Sequence, residues 1–202
     1  MSRKARCARK TKETEITAIL DLDGKGRSDI RTPVGFFNHM IESFARHGLF
    51  DLNLDARGDL HVDQHHLLED CGIVLGQAFR KALGEARGIN RTGFFVFPMD
   101  DALAIAAVDI SGRPFLRFKV GFKRRFCGEM DTDVLEDFFY AFSIHLGANL
   151  VIRVPEGRSD HHKAEAVFKA LGKALRMACS KDSRDIEDIP SLKGVIDNDW
   201  DR

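Results

Sequence analysis

Two stretches of the chain share one hydrophobic rhythm. After His66, apolar residues fall at Leu67, Cys71, Val74, Leu75, Ala78, Phe79, Ala82 and Leu83. After His162 they fall at Ala164, Val167, Phe168, Leu171, Ala174, Leu175 and Ala178. Steps of three and four lay these side chains along one stripe of an α-helix, so the spacing predicts two amphipathic helices. Asp63 and Asp160 stand where N-caps are expected. Phe36, Phe37, Met40, Ile41 and Phe44 predict another helix. Alternation predicts strands through Phe50, Leu52 and Leu54 and through Leu116, Phe118, Val120 and Phe122. Segments 16–22, 103–110 and 150–154 read as further strands, and Gly24-Lys25-Gly26 and Ser111-Gly112-Arg113-Pro114 as turns. Strands and helices without a regular β-α-β alternation favour an α+β fold, a sheet with helices on one face.

The chain also contains its own copy. DQHHLLEDCGIVLGQAFRKA (63–82) lies over SDHHKAEAVFKALGKALRMA (159–178) at an offset of 96 residues. His65 and His66 meet His161 and His162, Glu69 meets Glu165, and Gly76 meets Gly172. With a small gap, the region 36–47 lies over 135–146, so that Phe44 meets Phe142 and His39 meets Asp137. Repetition on this scale predicts two halves built the same way. The expected division is a first half over 1–93, a second over 94–195, and a tail over 196–202.

Composition narrows the function classes. The 202 residues are 44% hydrophobic and 31% charged, which excludes a disordered chain. Lys plus Arg and Asp plus Glu both number 31, so no global field grips a nucleic-acid backbone. No apolar run is long enough to cross a bilayer. The basic start MSRKARCARKTK is followed by no apolar stretch and is not expected to be a secretory signal. Cys7, Cys71, Cys127 and Cys179 are widely spaced with no CxxC, which fits a reduced, cytoplasmic setting rather than a disulfide framework.

The histidine doublets carry the chemistry. On a helix each residue turns about 100°, so His66 lies about 100° and Glu69 about 40° from His65, and the three share one face. His161, His162 and Glu165 repeat the arrangement. Imidazole and carboxylate together form a borderline donor set suited to Mn²⁺, Fe²⁺, Co²⁺ or Zn²⁺. Adjacent histidines diverge, so they are expected to serve two metals rather than chelate one. His61 and His145 are expected to be ordinary surface residues, on a strand and a helix. Arg91, Arg113, Lys169 and Lys193 lie near turns or helix ends, where guanidinium forks and ammonium groups suit phosphate.

These motifs resemble the imidazoleglycerol-phosphate dehydratase family. The similarity runs through RKTKETEI (9–16), GFFNHM (35–40), DQHHLLEDCGI (63–73), GINRTG (88–93), PMDDAL (98–103), DISGRP (109–114), DHHKAEAVFKA (160–170) and PSLKGV (190–195). The resemblance implies two tandem homologous halves, each a two-layer sandwich of the ribosomal protein S5 domain 2-like kind, with helices on one face of a four-stranded sheet. It implies metal ligation by His39, His65, His66, Glu69, His161, His162 and Glu165, with Asp137 where the family usually has a histidine. It places Glu13 and His47 near the glycerol part of the substrate as the proton-transfer residues. Arg91, Arg113, Lys169, Ser191 and Lys193 match substrate and phosphate contacts. It also implies two Mn²⁺ ions per active site, sites at subunit interfaces, and a homo-oligomer of 24 subunits.

The implied reaction removes water across C2 and C3 of D-erythro-imidazoleglycerol phosphate to give imidazole acetol phosphate, in histidine biosynthesis. The C2 proton is not acidic by itself, so metals on the two ring nitrogens are expected to make the ring electron-rich enough to expel the C3 hydroxyl. The C2 proton then falls within reach of a carboxylate or imidazole base. The chain departs from the family pattern at Asp137, at Val151 (usually His), at Asn38 (usually Asp) and at Leu192 (usually a small hydroxyl residue). Two alternatives follow: a metal-binding homologue with impaired catalysis, and a different dinuclear metalloenzyme such as a hydrolase. No HExxH motif or nucleophile elbow supports the latter.

Overall fold

Alternation decides which face of each strand is buried, and it does so twice. In the computed structural model, which describes residues 3–182 and 188–196, the first half contains β1 (Lys4–Lys10), β2 (Thr14–Asp21), β3 (Ser28–Arg31), α1 (Gly35–Gly48), β4 (Asp51–Gly58) and α2 (His65–Leu83). The second contains β5 (Thr92–Met99), β6 (Ala102–Asp109), β7 (Phe115–Val120), the short hairpin β8 (Phe126–Cys127) and β9 (Met130–Asp131), then α3 (Val134–Leu146), β10 (Asn149–Glu156) and α4 (Asp160–Cys179). The main sheets have the matching orders β1-β2-β4-β3 and β5-β6-β10-β7. Pairing is antiparallel except where β3 joins β4 and β7 joins β10. The duplicated α+β fold expected from the repeat is therefore present. The second sheet opens at Thr92, just ahead of the expected division at 93/94. Of the expected tail, residues 197–202 lie outside the described residues.

Ile16, Ala18 and Leu20 of β2 and Leu52, Leu54 and Ala56 of β4 are buried beneath helices; Ala104, Ala106, Val108, Leu150 and Ile152 repeat this in the second sheet. Helix α2 lies on β1, β2 and β4, and α4 on β5, β6 and β10. The helices then cross-pair: α2 packs on α3 and α1 on α4. Phe44, Phe79, Phe138, Phe142 and Phe168 fill the space between. Glycines permit the close approach. A Cβ on Gly76 would stand 2.7 Å from the Phe142 carbonyl oxygen, and one on its repeat partner Gly172 would stand 2.5 Å from that of Phe44.

Several local expectations change. The N-cap of α4 is Ser159, whose hydroxyl accepts from the His162 amide; Asp160 is already helical and its carboxylate turns to Lys163 and to the amides of Lys123 and Arg124. The α2 cap position is Gln64, while Asp63 accepts from the His65 amide at 2.8 Å. Strand β7 stops at Val120, before Gly121-Phe122. His61 lies in a turn after β4, not on a strand. The basic start is strand β1, a charged sheet edge that discourages pairing with other chains. Its charges hid the alternation, as short length hid β3.

Gly172→Ala tests the close helix approach. Helix propensity favours alanine by about 1 kcal/mol, but overpacking against backbone costs about 1–3 kcal/mol. The expected result is net destabilisation of about 1 kcal/mol or more in denaturant unfolding.

Candidate metal centre

Packing of α1 on α4 assembles the first cluster. His161 and Glu165 are four residues apart and share a face of α4, with Nε2 3.3 Å from Oε2. His39 of α1 brings its Nε2 to 3.7 Å from Glu165 Oε1. One ligand atom from each residue lies within 4.8 Å of the others, a spacing at which a single cation can be shared. The Phe36 ring meets His161 edge-on, centroids 5.0 Å apart. Lys169 Nζ lies 2.8 Å from Glu165 Oε1. Burial opposes the Glu165 charge, but Lys169 outweighs it and holds the carboxyl below its usual range.

Packing of α2 on α3 assembles the repeat counterpart. His65 Nδ1 lies 3.3 Å from Asp137 Oδ2, and its Nε2 lies 3.7 Å from Glu69 Oε2. Asp137 thus occupies the place equivalent to His39. The two acids address opposite ring nitrogens, so this cluster converges less tightly than the first. His39, His65 and His161 are 41–50% exposed, so both clusters open outward.

The second histidine of each doublet points elsewhere. Sequence geometry placed each glutamate between both histidines; in the structure it pairs with the first, one turn away, and an acid just past β4 or in the β5–β6 turn takes the second. His66 Nδ1 lies 3.1 Å from Asp59 and 3.9 Å from Glu13, and these three also bring ligand atoms close together. His162 lies 2.6 Å from Asp101 and 3.6 Å from Asp100. The hydrogen bond to Asp59 raises the His66 pKa. Asp101 is held far below the usual carboxylate range by the Ser159 amide first, then by His162 and the Arg158 amide. A carboxylate on Nδ1 orients the ring, the arrangement found behind metal-bound histidines; the His162 Nε2 faces the exposed Asp100 at 3.6 Å. Asp59 and Asp101 were missed in the sequence. Asp101 stood within PMDDAL, but nothing in the spacing linked it to His162, 61 residues away.

The proton-transfer and phosphate candidates lie apart within one chain. Glu13 sits in the β1–β2 turn beside His66, whereas His47 sits at the far end of α1, 5.2 Å from the Phe97 ring centroid. Burial, then Lys169 and Lys173, lowers the His47 pKa. Arg91 has a left-handed backbone (φ 65°), forks onto Asp109 at 2.7 and 3.0 Å and donates to the Pro190 carbonyl at 3.0 Å. That bond brings the segment of Ser191 and Lys193 beside Arg91. Arg113 lies exposed after the Ser111 turn. Lys169 belongs to the first cluster through Glu165. Of the departures, Val151 faces outward between buried Leu150 and Ile152, Asn38 binds Thr32, and the Leu192 side chain is fully exposed. His145 binds the Ala141 carbonyl within α3, as an ordinary helix residue.

Fold and site define a duplicated α+β protein with two repeat-related imidazole–carboxylate clusters at its helix junctions. The imidazoleglycerol-phosphate dehydratase family model matches residues 32–175. Imidazoleglycerol-phosphate dehydratases of Cereibacter sphaeroides and Gluconobacter oxydans are both 52% identical, each over 96% of this chain and over 100% and 98% of their own lengths. Among solved structures, the Staphylococcus aureus enzyme superposes with a TM-score of 0.79 at 35% identity, covering 88% of this chain and 100% of that one. The Pyrococcus furiosus enzyme, in complex with (S)-C348, gives 0.80 at 34% identity, covering 93% and 99%. The chain belongs to the imidazoleglycerol-phosphate dehydratase family.

His47 is expected to titrate below the ordinary value of 6.5 in an NMR pH series. Since its folded pKa lies below the unfolded one, the neutral ring contributes stability above pH 6.5 that is lost as pH falls. Lys169→Met should move the titration upward, while burial keeps it from fully recovering.

Proposed function

We propose that the chain is a hydro-lyase that dehydrates imidazoleglycerol phosphate to imidazole acetol phosphate in histidine biosynthesis. The observation that carries this is family membership across nearly the whole chain, joined to two imidazole–carboxylate clusters where the repeat predicts them. Imidazole with carboxylate oxygen fits Mn²⁺, and the extra oxygen of Asp137 leans the second cluster further toward a hard cation. His39, His161 and Glu165 would hold one Mn²⁺, and His65, Glu69 and Asp137 the other. When bound, the two ions supply Lewis acidity at the nitrogens of the substrate's imidazole ring.

The chain's own residues supply the rest. His66 and His162, held at Nδ1 by Asp59 and Asp101, present Nε2 to the half-open clusters of neighbouring copies. Two features support such an assembly, of 24 subunits on the family pattern. The clusters are open on one side, and the outer face of the second sheet exposes Phe94 (63%) and Val96 (46%). Interface sites would also reunite Glu13 and His47, which one chain keeps apart. His47, its pKa lowered by burial, and the exposed Glu13 carboxylate share the proton transfers. Arg91, Arg113, Lys169, Ser191 and Lys193 bind and orient the phosphate end, fixing the ring for reaction. Among the described residues no helix is long and apolar enough to cross a membrane. The four free cysteines support a cytoplasmic setting. The impaired-homologue reading is not favoured, because Asp137 keeps a donor oxygen beside His65.

Metal-stripped protein should form the ketone product only when Mn²⁺ is restored; a folded, Mn²⁺-loaded protein without turnover would support the impaired homologue instead. His66→Ala should lower both metal content and particle size, read by elemental analysis and light scattering. Unchanged values for both would count against ligation across subunits.

A further inference from the structure

The duplication is broken at one place beside the donor clusters. Between β3 and α1 the chain needs only residues 32–34, whereas between β7 and α3 it spends residues 121–133 and inserts the β8–β9 hairpin. This segment does not stay within its own half. The Phe36 amide, in the first turn of α1, donates to Glu129 Oε1 at 3.1 Å. The Gln64 side chain, at the start of α2, donates to the Glu129 carbonyl at 2.7 Å and accepts from the Asp131 amide at 3.0 Å. Asp160, at the start of α4, accepts from the amides of Lys123 and Arg124 at 2.9 and 2.8 Å. One segment thus touches the N-terminal ends of the three helices that carry His39, His65, His66, His161 and His162.

Glu129 does more there than close a loop. The α1 cap residue is Val34, with no side-chain acceptor, and the first turn of α1 contains no acid. Glu129 therefore supplies from the other half what the local sequence lacks. Phe36 lies one turn before His39, and its ring meets His161 edge-on and lies 6.5 Å from His39. We propose that Glu129 is a positioning residue for the first donor cluster: by gripping the Phe36 amide it seats the Phe36 ring and sets the spacing of His39 from His161 and Glu165. This rests on the reading that these three residues hold a divalent cation.

Calorimetric titration of the metal-free full chain with Mn²⁺ tests it, with thermal unfolding of the same samples as the control for stability. The unsubstituted chain should bind two equivalents. Glu129→Ala should weaken one equivalent tenfold or more, the scale of losses on removing groups that orient ligands, and leave the other unchanged. Glu129→Gln keeps an acceptor oxygen and should restore the weakened site. Phe36→Leu keeps the amide but not the ring, and should reproduce the alanine phenotype. Wild-type affinity at both sites in Glu129→Ala or in Phe36→Leu would overturn the positioning role, as would parallel weakening of both sites explained by lower stability. Failure of the unsubstituted chain to bind Mn²⁺ would overturn the metal reading itself, a distinct result.

Discussion

The close crossing of helices from opposite halves is the constraint on which the site depends. Each half buries one face of its sheet under its own helices, but neither half alone completes a helix-junction cluster. His39 reaches Glu165 only because α1 lies on α4, and Asp137 reaches His65 only because α3 lies on α2. Gly76 and Gly172 let the backbones approach, since a methyl group at either position would strike a carbonyl oxygen. Interiors are dense and transmit small displacements. A shift in this crossing therefore alters the spacing of ligand atoms several ångströms away.

Duplication explains how two similar clusters arise from one design, and where they differ. In both, the first histidine of the doublet pairs with a glutamate one helical turn on. In both, the second is taken by an acid from the sheet side, Asp59 or Asp101. The difference lies in the third donor, an imidazole in one cluster and a carboxylate in the other. The first cluster draws its two imidazoles and one carboxylate toward one point, with Lys169 held against Glu165. The second spreads its acids over both nitrogens of His65. One helix pair therefore offers a nitrogen-rich, compact site, and the other a more oxygen-rich, open one.

The helix stripes, the central strands and the repeat were legible from residue spacing, because burial of one face imposes a period that the chain must display. The pairing of His65 with Glu69 and of His161 with Glu165 was also legible, since residues four apart meet on any helix. What escaped were β1, β3, β5 and the β8–β9 hairpin. The side chains of β1 are charged and those of β5 largely exposed, so no core enforced a readable alternation, while β3 and the two hairpin strands are too short to display a period.

Spacing along the chain thus determined which residues exist to bind and which helix face carries them, because those are properties of local periodicity. Only tertiary structure decided which helices would touch. It set Asp59 and Asp101 behind the second histidines, and it brought Glu129 to cap a helix 93 residues away in sequence. Such contacts depend on how separately formed elements dock, and no local preference of the chain records that geometry.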